Sequence, residues 1–355
     1  IDAKDGQDIV ISIDINLQSE MEYEVENYSG KGKSQNGSAI SMDAQTGEIY
    51  ACCSQPFFNP AAPQESSTVS TKVKGITDPM EPGSIFKPIT ALAALEAGTT
   101  SPSKIYHCPT SLKVDDRTIT DAKPRGDVDY SLAQILERSS NVGISQVAQE
   151  MGFQTLFNKI QDYQILEPTK VDYPGAGVGQ VAQFSQWSRH LAMNVSFGQC
   201  ITVTPLEMMR FYSALADFGY ACNPHFLISK IDTGELNLRD QNMPNNEQII
   251  YNQNAIDQLN EMLYGVVESG SGKGAKIDNY KICGKTSTAE YVNEKTGTYE
   301  SDLYNTGFIG YMPGAKTNVV TYTGVYACSD EVNTSYLFKN ITQHVIEIFE
   351  IPRNL

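Results

Sequence analysis

Apolar and polar positions change period several times along this chain, and the changes outline its elements. Val10-Ile11-Ser12-Ile13-Asp14 alternates like a strand, and the spacing over 15–28 predicts a helix. A Gly/Lys/Ser-rich loop, 30–37, follows. Residues 38–43 and 47–53 read as two strands around the turn Ala44-Gln45-Thr46-Gly47. The stretch 56–82, rich in Pro, Ser and Thr, reads as loop and ends at Pro82-Gly83. A buried helix is expected over 84–97, stopped by Gly98. Residues 101–130 look irregular. Two helices, 132–139 and 142–151, are joined through Ser139-Ser140-Asn141. Further helices are expected over 206–218, with Pro205 in the first turn, and over 255–268. Beyond Gly284 the pattern turns to β at 285–292, 307–311 and 318–326, and a helix over 335–350 closes the chain.

Two strands thus come first, helices fill the middle, and three strands and a helix follow. Strands parted by a helical insertion can still join one antiparallel sheet with helices on both faces. The expected fold class is α/β, a five-stranded antiparallel sheet sandwiched by helices. No domain boundary or internal repeat stands out.

The 355 residues give ample length for a core, and 40% hydrophobic with 19% charged residues reads as globular. A net charge of −16 argues against nucleic acid as a partner and against adsorption to anionic lipid. No apolar run is long enough to span a bilayer, and no signal peptide is visible. The abrupt start at Ile1-Asp2-Ala3-Lys4 suggests a truncated chain, so a missing anchor says little. The seven cysteines contain no CxxC pair and read as free buried thiols, Cys52 and Cys53 pointing to opposite faces of a strand. Such thiols suit a reducing habitat if the protein works outside the cytoplasm. His107-Cys108, Cys200, Cys222 and His225 match no zinc spacing, so no metal or other cofactor is expected.

Three polar motifs carry the candidate chemistry: Ser84-Ile85-Phe86-Lys87 after Glu81-Pro82-Gly83, then Ser139-Ser140-Asn141, then Lys285-Thr286-Ser287-Thr288 after Gly284. Each alone has a bland explanation: a helix cap with a surface lysine, a pair of helix ends, a solvated strand edge. Together they offer what acyl transfer needs. Ser84 starts a helix, where free N–H groups and the helix dipole favour negative charge on its oxygen. Lys87, one turn later, shares its face. Phe86, Ile89, Leu92 and Leu95 make that helix a buried one, and a lysine there needs a reason. Burial or a second cation lowers a lysine pKa enough to make a base, and Lys285 is a candidate for that cation. Ser139 can relay a proton, and Asn141 can hold a peptide amide. Strand alternation puts Lys285 and Ser287 on one side, Thr286 and Thr288 on the other. Hydroxyls and an ammonium there suit a carboxylate.

Gly284-Lys285-Thr286 also mimics the end of a phosphate-binding loop, but position 279 is Asn279 rather than glycine. Gly270-Ser271-Gly272-Lys273 is followed by Gly274 rather than Ser or Thr, so a nucleotide hydrolase is discarded.

With all three motifs in order, nearly the whole chain resembles the transpeptidase domain of class B penicillin-binding proteins, the division and sporulation type. Val10-Ile11-Ser12-Ile13-Asp14, Asp43-Ala44-Gln45-Thr46-Gly47-Glu48-Ile49, Thr204-Pro205-Leu206 and the Ala289-Glu290 that follow Thr288 belong to the same likeness. The resemblance implies one catalytic domain over 1–355, with the active site beside an edge strand. Ser84 would be acylated, with Lys87 as its base. Ser139 and Asn141 would shuttle the proton and hold the amide; Lys285, Thr286 and Thr288 would meet a carboxylate. The N–H groups of Ser84 and Thr288 would form the oxyanion hole. The implied substrate is a peptidoglycan stem peptide ending in D-Ala-D-Ala, with β-lactams as covalent mimics and other cell-wall synthesis proteins as partners. Family members carry an N-terminal membrane anchor and a pedestal domain, which implies a place on the outer face of the cytoplasmic membrane.

The family usually has Lys-Thr-Gly where this chain has Lys285-Thr286-Ser287. The added side chain is expected to crowd the edge where substrate pairs, and its hydroxyl makes Ser287 a candidate substrate-binding residue beside Thr286 and Thr288. The alternatives are a serine β-lactamase or D,D-carboxypeptidase, which would share the serine and lysines, and a β-lactam sensor or scaffold.

Overall fold

Strands from the two ends of the chain meet in one antiparallel sheet. The computed structural model describes residues 6–31, 34, 36–231, 246–292, 298–314, 317–329 and 332–355. The chain opens with β1 (Asp8–Ile11), α1 (Ile15–Lys31) and the hairpin β2 (Gly37–Asp43) and β3 (Ile49–Ser54). α2 (Lys87–Glu96) is followed by four short strands, β4 (Ile105–Cys108), β5 (Ser111–Val114), β6 (Arg117–Thr120) and β7 (Val128–Ser131). Helices α3 (Leu132–Arg138), α4 (Asn141–Met151), α5 (Phe153–Asp162), α6 (Arg189–Ser196) and α7 (Pro205–Ala216) come next. β8 (Leu227–Ile231), α8 (Gln253–Glu268), β9 (Cys283–Val292), β10 (Tyr299–Tyr311), β11 (Val319–Cys328) and α9 (Ser335–Ile348) complete it.

The main sheet has the order β9-β10-β11-β2-β3, antiparallel throughout, as expected. Alternation along its strands feeds two cores. Ala39, Ala51, Cys53 and Phe308 face α1 and α9, packing with Leu17, Met21, Val25, Leu337, Phe338 and Ile341. Ile40, Met42, Ile309, Tyr311, Val320 and Tyr322 face the larger core, which takes in Ile89 and Leu92 of α2, Phe211 and Tyr212 of α7, and Leu259 and Leu263 of α8. Each large apolar side chain so buried contributes about 1.5–3 kcal/mol. α2 is therefore held from every side, and the lysine at its start goes in with it.

Several elements depart from the sequence reading. β1 ends at Ile11 and pairs with β8, outside the main sheet. Asp14 instead caps α1, its Oδ1 accepting the N–H groups of Asn16 and Leu17 at 2.9 Å each. Gly30 and Lys31 extend α1; residues 32, 33 and 35 of the expected 30–37 loop lie outside the described residues. The stretch 101–130 holds two antiparallel pairs, β4 with β7 and β5 with β6. Strands of four residues with one face in water are too short to show a period. α5 adds a helix that the sequence reading did not include, although Phe153, Leu156, Phe157 and Ile160 stand at helical spacing. β10 starts at Tyr299 rather than near 307, because its first half is polar.

Cys52 and Cys53 do part to opposite faces, one against each core. Burial pushes the Cys52 thiol up to about 12 and raises Cys53 well above the ordinary thiol range, which makes both poor nucleophiles. All seven cysteines are free, and among the described residues no group of three or more His, Cys, Asp or Glu could hold a metal ion.

Candidate active site

Pro82 and Gly83 deliver Ser84 to the site. Gly83 has φ +55°, a left-handed conformation that a side chain would strain, and a Cβ there would stand 2.7 Å from Ser287 Oγ. The turn runs as a short 3₁₀ segment, Gly83–Phe86, before α2 begins at Lys87. Ser84 therefore sits one turn ahead of the α-helix, rather than within it. The approach is pinned by a neighbouring strip of chain. Met80 and Val203 exchange backbone hydrogen bonds of 2.9 Å, Gly83 N–H donates to Gly198 O at 2.9 Å, and Cys200 N–H donates to Glu81 Oε1 at 2.8 Å. Gly198 has φ +84°, and a Cβ on it would lie 2.2 Å from Gly83 O.

Four predicted residues meet directly. Lys87 Nζ is 2.9 Å from Ser84 Oγ, 2.5 Å from Ser139 O and 3.2 Å from Ser139 Oγ. Lys285 Nζ reaches the same Ser139 Oγ at 2.9 Å and also donates to Thr286 O at 3.1 Å. Both lysines are 0% exposed. Burial pushes the Lys87 ammonium down to about 7, against an opposing pull from the Asp121 carboxylate. Lys285 is pushed well below the ordinary lysine range by burial and then by Lys87. Burial thus does for Lys87 what the sequence reading had divided between burial and the charge of Lys285.

Ser139 ends α3 in a left-handed conformation, φ 58° and ψ 39°, which aims its side chain at the lysines instead of at its own helix. Capping falls to its neighbours. Ser140 Oγ accepts Gly143 N–H at 3.0 Å and donates to Asp121, while Asp121 Oδ1 accepts Val142 N–H at 3.0 Å. Arg125 pairs with Asp121 at 2.6 Å. Asn141 donates to Thr120 O at 3.0 Å, tying its amide to the end of β6. Asp121 and Arg125 were missed in the sequence because their segment looked irregular; their spacing of four was the available signal.

On β9 the alternation holds. Thr288 is exposed, and Thr286 is half-buried with its Oγ1 2.9 Å from Ser271 Oγ, a second residue the sequence did not single out. Ser287 is turned inward, 8% exposed, and its hydroxyl donates to Pro82 O at 2.6 Å. The expected crowding of the substrate edge meets a side chain that points into the protein.

Residues 37–342 match the family model described as the penicillin binding protein transpeptidase domain. The chain belongs to that family. Within it, the chain is 30% identical over 322 residues to penicillin-binding protein PbpB of Mycolicibacterium smegmatis, covering 88% of this chain and 49% of that protein. It is 28% identical over 324 residues to stage V sporulation protein D of Bacillus subtilis, covering 91% and 50%. It therefore spans about half the length of these relatives. A crystal structure from Atopobium parvulum, 29% identical, superposes with a TM-score of 0.88 over 98% of this chain and 81% of that one. The apo form of penicillin binding protein 3 from Mycobacterium tuberculosis, 24% identical, shares the fold at a TM-score of 0.89, over 100% of this chain and 82% of that one. The penicillin-binding transpeptidase fold accounts for the sheet order and for the meeting of three distant motifs at one edge.

Proposed function

We propose that this chain is the catalytic domain of a serine-type D,D-transpeptidase that cross-links peptidoglycan stem peptides and is acylated by β-lactams. The observation that carries this reading is the unbroken chain of contacts Ser84–Lys87–Ser139–Lys285. A neutral Lys87 takes the Ser84 proton as Oγ attacks the carbonyl of the penultimate D-Ala. The N–H groups of Ser84 and Thr288 stabilise the oxyanion. The C–N bond then breaks, and Ser139 passes a proton to the departing D-Ala amine. An amine from a neighbouring strand attacks the acyl-enzyme, loses its proton along the same route, and frees Ser84. A substrate carboxylate at Thr286 and Thr288 would hold charge on Lys285, leaving Lys87 as the neutral member of the pair. Asn141 would hold the substrate amide.

Relatives include proteins named probable peptidoglycan D,D-transpeptidase, which supports the same reaction. Penicillin binding protein 3 of M. tuberculosis has been crystallised with aztreonam and with ampicillin, which supports β-lactams as ligands. Work on the outer face of the cytoplasmic membrane, beside other cell-wall synthesis proteins, belongs to the same proposal; among the described residues no helix is long and apolar enough to cross a membrane.

Labelled penicillin followed by intact-mass and peptide mapping tests it. The expected result is a long-lived adduct on Ser84 that Ser84→Ala abolishes without unfolding. Rapid hydrolysis of the adduct would instead indicate a β-lactamase, and an adduct elsewhere would overturn the assignment. A stable adduct without transfer to any amine acceptor would indicate a sensor.

A further inference from the structure

The departure at position 287 has a place in the molecule that its sequence context did not suggest. Ser287 Oγ is buried and 2.6 Å from Pro82 O, and Pro82 lies two residues before the nucleophile. The loop it reaches is already fastened on its far side, through Gly198, Cys200 and Val203. Ser287 fastens the near side, joining the loop to edge strand β9. It does so next to Thr288, while Gly83, whose would-be Cβ comes within 2.7 Å of Ser287 Oγ, is next to Ser84. Of the two backbone N–H groups read above as the oxyanion hole, that of Thr288 directly follows one end of this clasp and that of Ser84 lies two residues beyond the other. A glycine at 287 has no hydroxyl and leaves those strips without this bond.

We propose that Ser287 is a positioning residue that sets the Ser84 loop against β9, so that the Ser84 and Thr288 N–H groups converge on one oxygen. This rests on the transpeptidase reading of the site. It acts on the step in which charge develops, because an oxyanion hole stabilises the transition state more than the bound ground state. The side chain points away from the open edge and so adds nothing to, and takes nothing from, the initial docking of a β-lactam.

The test uses the full chain and nitrocefin under pre-steady-state conditions, which separate the dissociation constant of the first complex from the first-order acylation constant. Ser287→Ala removes the hydroxyl and keeps the Cβ; Ser287→Thr keeps the hydroxyl. Ser287→Ala should lower the acylation constant roughly tenfold, the scale of a small misplacement in a reacting geometry. The dissociation constant should stay within about twofold, and Ser287→Thr should recover most of the rate. Hydrogen exchange in a peptide covering 80–87 should quicken in the alanine variant alone. An unchanged acylation constant in Ser287→Ala overturns the proposal, as does a loss carried mainly by the dissociation constant. Failure of the threonine variant to recover rate, with its fold intact by thermal melt, also overturns it. A wild-type chain that forms no adduct at Ser84 refutes the transpeptidase reading itself, and the positioning role falls with it.

Discussion

Lys87 and Lys285 converge on one oxygen: the Ser139 hydroxyl lies 3.2 Å from the first ammonium nitrogen and 2.9 Å from the second. Two full positive charges at that separation, both away from water, repel strongly. Burial lowers Lys87, and the charge of Lys87 adds to burial in lowering Lys285, so the pair is disfavoured from holding both ammonium charges at once.

With Lys87 pushed down to about 7, β-lactam acylation should rise with pH through roughly 7 and level off above it. The second-order acylation constant, followed from about pH 5 to 9, checks this. A flat profile would remove Lys87 from the role of base.

The same lowering is a stability statement. A lysine that titrates at 10.5 in the unfolded chain and near 7 in the folded one is protonated mainly in the unfolded state between those values. Stability from this group therefore rises with pH across that window, and the penalty is full below about 7. Lys87→Met should raise stability at neutral pH by about 1–4 kcal/mol, as apolar replacements of buried charge can. It should cut acylation by at least ~10²-fold. Thermal melts and penicillin labelling on one preparation would test both; a less stable variant would contradict the argument.

Asp121→Asn should separate two roles of that carboxylate. It leaves the Arg125 guanidinium its carbonyl partners but no carboxylate, and weakens the acceptor for Ser140 and Val142, a loss of about 2–4 kcal/mol. It also removes the charge that holds Lys87 up, so the acid limb of the acylation profile should move to lower pH. A limb that stays in place would show that Asp121 is purely structural.

Gly198→Ala should damage the site from the far side. Its Cβ would stand 2.2 Å from Gly83 O, on a residue with φ +84°. The loop must shift, and displacement of Ser84 by about 1 Å is enough for a ~10²-fold loss of acylation. Acylation rates and melts of the variant would show whether the loss exceeds what its stability explains.

The sheet and the three motifs were legible because they rest on local signals: apolar alternation in β2, β3 and β11, and polar residues at element ends. The orientation of Ser287 was half legible. Alternation placed it with Lys285, but only the approach of Pro82, some two hundred residues away, shows that this side faces inward. The role of Asp121 was only faintly legible, through its spacing of four from Arg125. It stands in a segment of four-residue strands, and its meaning comes from Ser140 and Val142, which the fold brings to it. The closeness of Gly83 to Gly198 likewise depends on a bridge between Met80 and Val203 that no local pattern encodes.

Ser139 holds a left-handed backbone that glycine would adopt without strain, at a cost to an L-residue of roughly 1–2 kcal/mol. Among the described residues no carboxylate forms an ion pair with the buried Lys87 or Lys285. Selection for heat resistance alone, blind to activity, would therefore find its easiest gains at these three positions.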